Sequence, residues 1–166
     1  MSVESCELEL RETANLLRSV LEPLGFEFQF SEAAQGYMAF ASGFFIQGGL
    51  KIGLIYRVNY KLGAVVYENE TTNVLHDRLL VSLGLAAKQR LRYDKEAMAS
   101  VALDGGDVVD ALRADLLTLT PVLRDREALS RSISKARDES DRADKESEER
   151  KAAKLRDWLR RRSEKD

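Results

Sequence analysis

A chain of 166 residues with 44% hydrophobic content is long enough for one self-sufficient core plus an appendage, and too apolar for wholesale disorder. Its net charge of −2 and pI near 5.6 argue against a dedicated nucleic-acid-binding domain. A single cysteine, Cys6, permits no internal disulfide, and a single histidine, His76, leaves too few ligands for a structural zinc site.

The charge is unevenly spread. Residues 1–121 hold 11 basic and 16 acidic side chains, whereas residues 122–166 hold 15 and 12. The pattern divides the chain into a body, 1–121, and a charged helical extension, 122–166. The opening residues carry Glu4, Glu7 and Glu9 instead of a basic and then apolar segment, so no signal peptide is expected there. The longest apolar run, residues 37–56, is broken by Gln47, Gly48, Gly49 and Lys51 and is too interrupted to span a bilayer. The expectation is a cytoplasmic protein without membrane association.

Residues 3–24 predict an amphipathic helix. Val3, Cys6, Leu10, Ala14, Leu17, Leu21 and Leu24 recur at steps of three and four, and Pro23 with Gly25 supplies the stop. Cys6 falls on that apolar stripe, where cysteine acts as a small hydrophobe. Phe26, Phe28 and Phe30 alternate with polar residues as in a half-buried strand. A turn at Gln35-Gly36 leads to a second strand over 37–47, with Gly43 as a candidate bulge, and Gly48-Gly49 matches a tight hairpin. A third strand presents Leu50, Ile52, Leu54, Tyr56 and Val58 to one face, and a turn near 60–63 opens a fourth strand over 64–68.

Beyond a loop at 69–72, residues 74–83 predict a helix capped by Thr71 or Thr72 and closed by Gly84. Residues 86–92 fit a short helix or a strand equally well. Asp104-Gly105-Gly106-Asp107 is a turn that opens a helix over 108–119, with Asp107 as N-cap, Val109, Leu112, Leu116 and Leu119 on one stripe, and Pro121 as its limit. The predicted fold class is α+β: an N-terminal helix, a four-stranded antiparallel β-meander, helices packed on one sheet face, and a long charged C-terminal helix.

The extension reads as a helix because it contains no Gly or Pro after Pro121. Acid-before-base pairs also recur at i,i+4: Glu127–Arg131, Asp138–Arg142, Asp141–Lys145, Glu146–Arg150 and Asp157–Arg161. At roughly 0.2–0.5 kcal/mol each, these pairs leave the helix marginal without packing. Leu129, Ile133, Ala136, Ser140, Ala143 and Ser147 follow heptad spacing but fade from large to small, which describes a helix rooted at its base and solvated along its length. Leu155, Trp158 and Leu159 then return as an apolar patch followed by Arg160, Arg161 and Arg162. These six residues are the candidate partner-binding site, since Trp and Arg are enriched at binding hot spots.

Catalytic patterns are thin. His76-Asp77 lacks the further ligands of a phosphohydrolase, no Gly-x-Ser-x-Gly elbow occurs, and His76 sits at helical spacing with Leu79, Leu80 and Leu83 as a core-edge residue. Glu68 and Glu70 at a strand end, with Lys88 and Arg90 beyond, could in principle serve a metal-dependent nuclease. Asp104 and Asp107 read as turn and cap, not as a cation loop. The expected function is a non-enzymatic protein–protein interaction module, whether adaptor, immunity-like inhibitor or assembly subunit, that uses its helical arm and needs no cofactor or metal. A protein partner is expected. The alternatives are a metal-dependent nuclease or phosphoester hydrolase, or nucleic-acid attachment through the basic tail tip.

Overall fold

The computed structural model describes residues 3–34, 39–58 and 61–163. Helix α1, Val3–Leu21, buries Cys6, Leu10, Ala14, Leu17 and Leu21 and ends in a 3-10 turn, Glu22–Leu24, closed by Gly25 at φ 88°. Strands β1 (Glu27–Ala34), β2 (Phe40–Gln47), β3 (Leu50–Arg57) and β4 (Lys61–Glu68) form the predicted antiparallel meander. The turn expected at Gln35-Gly36 lies outside the described residues, and of the turn expected near 60–63 residues 61–63 are instead the start of β4, paired with β3, whereas Gly48 takes φ 59° in the hairpin between β2 and β3.

The sheet has five strands, not four, in the order β1-β2-β3-β4-β5. The added strand β5, Asn73–Leu75, occupies the start of the predicted helix, and helix α2 is correspondingly short, His76–Ser82. Its N-cap is Leu75, with no side-chain cap, instead of Thr71 or Thr72. Asn69 claims those threonines: its Oδ1 accepts from Thr71 N–H and Thr72 N–H, which folds the loop into a turn that returns the chain to β4. The bulge also differs from expectation. The register slips between Phe30 and Glu32 on β1, opposite Gly43, while Gly43 stays in regular pairing and leaves room for the Phe28 ring.

A second, two-stranded sheet joins β6 (Leu91–Asp94) and β7 (Ala99–Ala102). Helix α3, Val108–Leu123, starts at Asp107, whose carboxylate accepts from Val109 N–H and Asp110 N–H. It runs through Pro121 instead of stopping there. The fully buried Leu123 explains this: burying a leucine contributes about 1.5–3 kcal/mol, comparable to the roughly 3 kcal/mol proline costs inside a helix. After a break at Arg124 and Asp125, helix α4 spans Arg126–Ser163.

One sheet face is covered. Leu50, Ile52, Leu54 and Tyr56 of β3, Phe45 of β2 and Tyr67 of β4 point inward to join α1, α3 and the base of α4 in a single core. Thr13 on α1 shares a hydrogen bond with the Tyr56 hydroxyl of β3. The opposite face carries Phe40, Phe44, Ile55 and Val66, all half-buried, around a cleft of about 440 Å³ rimmed by Glu32, Arg57 and Glu68.

Candidate functional site

The root of α4 is built into the body. The Asp125 carboxylate accepts from Glu127 N–H and Ala128 N–H, satisfying donors at the helix start. Leu129, Ile133 and Ala136 are buried with α3 residues in the main core. Asn69, read from sequence only as a turn residue, fastens the β4–β5 loop to the same root: its amide donates to the Ser130 carbonyl at 3.0 Å and the Ser134 hydroxyl at 2.9 Å. A cleft of about 510 Å³ lies beside this junction, lined by Gly49, Glu70, Thr71, Arg126 and Ser130. Farther along, Arg78 of α2 approaches Asp144 at 3.7 Å. No ion pair to the body is found beyond that point among the described residues.

From Asp141 to Arg156 every side chain is exposed, so the helix leaves the body as a free arm. Residues 145–163 extend about 28 Å at 1.5 Å per residue. The arm is held by its own charges. Glu127–Arg131, Glu146–Arg150 and Asp157–Arg161 form as their spacing predicts, whereas Asp141 turns one turn back to Arg137 at 3.0 Å. These pairs are solvent-facing and add tenths of a kcal/mol each; the buried root fixes where the arm points.

At the tip, Leu155 is 58% exposed and Trp158 54% exposed. The Arg162 guanidinium lies 5.3 Å from the Trp158 ring centre, a cation–π contact that holds the indole against the helix. Asp157 binds Arg160 and Arg161, each at 2.8 Å, so the triple-arginine run is partly neutralised from within. The structure therefore brings Leu155, Trp158, Arg160, Arg161 and Arg162 together on one exposed helix end; the side chain of Leu159 lies outside the described residues.

The candidate catalytic groups do not assemble. Glu68 faces Lys51 across the sheet at 4.0 Å, Glu70 lines the cleft beside Arg126, and Lys88 and Arg90 belong to the segment that follows α2. Among the described residues no group of three or more His, Cys, Asp or Glu side chains could hold a metal ion. Cys6 is buried, and burial, with the nearby charge of Glu9, raises its thiol pKa; at neutral pH it stays protonated.

His76 pairs not with its neighbour Asp77 but with Asp115, from the middle of α3. The Nε2–Oδ2 distance is 2.8 Å, and the Tyr67 hydroxyl lies 2.9 Å from Nδ1. Asp115 also accepts from Arg90 N–H at 2.7 Å and Leu91 N–H at 2.9 Å. Every proton finds an acceptor if Nε2–H donates to Asp115 and the Tyr67 O–H donates to Nδ1. Burial pushes the Tyr67 hydroxyl pKa far above the usual range, with the Asp115 charge adding to it, so Tyr67 remains a donor. With His76 4% exposed and Asp115 0%, a substrate has no access, and the network serves to tie β4, α2, β6 and α3 together. One signal for Asp115 is present in the sequence: an acid on the apolar stripe between Leu112 and Leu119.

Comparison of the chain with protein-family models, curated proteins and solved structures finds no match in any of the three.

Proposed function

We propose that this chain is a non-enzymatic protein–protein interaction module, an adaptor or assembly subunit, that engages its partner through the tip of α4. The observation that carries the reading is the exposure of Trp158 and Leu155 at the end of a helix whose root is part of the core. More than half of this large aromatic stays in water, so its apolar surface remains to be buried by a partner. Covering the exposed half of an indole, about 100 Å² or more, contributes roughly 3 kcal/mol, the scale of a binding hot spot. The flanking arginines favour a protein surface over a phosphate backbone, because Asp157 already engages Arg160 and Arg161.

The test is removal of residues 145–166, followed by recovery of bound proteins from the native cell. The body should keep its unfolding midpoint while the partner is lost. Unchanged recovery would show that the arm has no part in binding.

A further inference from the structure

The arm carries two complementary halves. Residues 138–149 hold seven acids and two bases, whereas residues 150–163 hold seven bases and one acid. Ion pairs within the helix absorb only part of this separation: Glu149, Lys154 and Arg156 make none among the described residues. Side-chain size divides in the same way. Eighteen residues, five turns at 3.6 residues each, separate Ser140 from Trp158, so both lie on one face. That face is small through Ala143 and Ser147 in the acidic half and large at Leu155 and Trp158 in the basic half.

We propose that a second copy of this chain is the occupant of the arm, in an antiparallel pair of α4 helices with its two-fold axis near residues 152–153. The proposal rests on the arm being the interaction surface, and it names the partner. Two arms laid parallel set acid on acid and base on base; laid antiparallel, each basic half lies along the other's acidic half, twice by symmetry. With the axis at this level, Trp158 of one copy comes beside Ser147 of the other, large against small, and Arg162 comes within one residue of the level of Asp144, both on the flank of the face that carries Trp158. Ser163 then reaches the level of Arg142, just short of Ser140, which is half-buried against the body. The body thus sets how far the arms can overlap. Such a contact is isologous and closes at two copies instead of growing into a filament. It is narrow and largely charge-driven, so it weakens with salt.

Sedimentation equilibrium of the purified full chain tests this. At low ionic strength the mass should rise with concentration from 18.7 kDa toward twice that value. The dissociation constant should grow about tenfold or more as salt is raised to about 0.5 M. Arg162→Glu and Asp144→Arg should each weaken pairing, and the double variant should recover it. These two positions are eighteen residues apart on their own helix and do not bond there, so recovery reports contact between copies. A chain that stays monomeric at millimolar concentration in low salt overturns the proposal, as does a double variant no better than the singles or a dimer that survives removal of residues 145–166. A monomeric chain that still loses its cellular partner on truncation would overturn the pairing alone and leave the arm's role intact.

Discussion

Replacing Asp115 by alanine removes the shared acceptor of three donors: Arg90 N–H, Leu91 N–H and the Nε2–H of His76. Leu91 and His76 are buried, at 1% and 4% exposure, so neither of their donors can turn to water. A buried donor left without a partner costs about 1–3 kcal/mol, and two of them give roughly 2–6 kcal/mol. The Arg90 donor is only partly buried and recovers water. Against a typical total stability of about 5–15 kcal/mol, that is a large loss. Asp115→Asn separates charge and shape from acceptor count. An asparagine keeps one oxygen, so its NH2 must face at least one backbone N–H in either orientation, and the cost falls to about 1–3 kcal/mol. Urea unfolding of both variants, read as midpoint shifts at constant slope, measures this directly. An alanine variant within about 0.5 kcal/mol of the parent, or an asparagine variant as damaging as the alanine one, would refute the network as the clamp between α3, β6 and α2.

Truncation of Ile133 to alanine should cost about 2–5 kcal/mol in the same assay, because the side chain is wholly buried at the root of α4. Leu155→Ala, on the exposed arm, should stay within about 0.5 kcal/mol in dilute solution; equal effects would mean that the arm is not free. Gly43→Ala should destabilise by about 1–3 kcal/mol, since the added carbon would stand 2.6 Å from the Phe28 ring, and a neutral result would show that the ring moves aside at little cost. Alkaline titration should find two tyrosines protonated above the ordinary value near 10: burial pushes the Tyr56 hydroxyl up to about 12 and Tyr67 higher still. Because these folded-state values are raised, their contribution is complete below pH 10 and is lost as pH climbs from 10 through 12, at up to about 1.4 kcal/mol per pH unit for each group. Native ionisation of every tyrosine near pH 10 would contradict that.

The elements legible in the sequence are those whose periodicity runs long enough to be read. Helix α1 shows its stripe over five turns, β3 alternates over its full length, and Asp107 announces α3 by its position before an apolar run. What escaped is short or depends on distant partners. Strands β5, β6 and β7 are three or four residues each, too short for a period of two to stand out, and β5 exists because Asn69 turns the chain back along β4. The β6–β7 turn uses Asp94, whose carboxylate accepts from Glu96 N–H and Ala97 N–H, and Met98 at φ 52°, instead of a glycine pair. Pro121 carries a correct local preference that packing of Leu123 outweighs. At the candidate site, the tip residues stood out by their isolation in a charged segment, but whether Trp158 projects or folds back on the body was not legible, because that depends on how the distant root packs; Asn69, which pins the root, has no marker apart from its place in a loop.

Because α4 is one uninterrupted helix from Ile133 to the arm tip, the core also governs where the tip stands in space. From Ala136, the last buried residue on α4 among the described residues, to Trp158 the helix runs about 33 Å at 1.5 Å per residue. A tilt of about 10° at the seat of Leu129 and Ile133 therefore sweeps the indole through roughly 6 Å, more than the width of a side chain. Repacking between α3 and α4 is thus magnified into displacement at the far end, and a load on the tip returns as torque on two buried aliphatic side chains. Substitutions deep in the body should alter what the arm reaches without altering any residue on it.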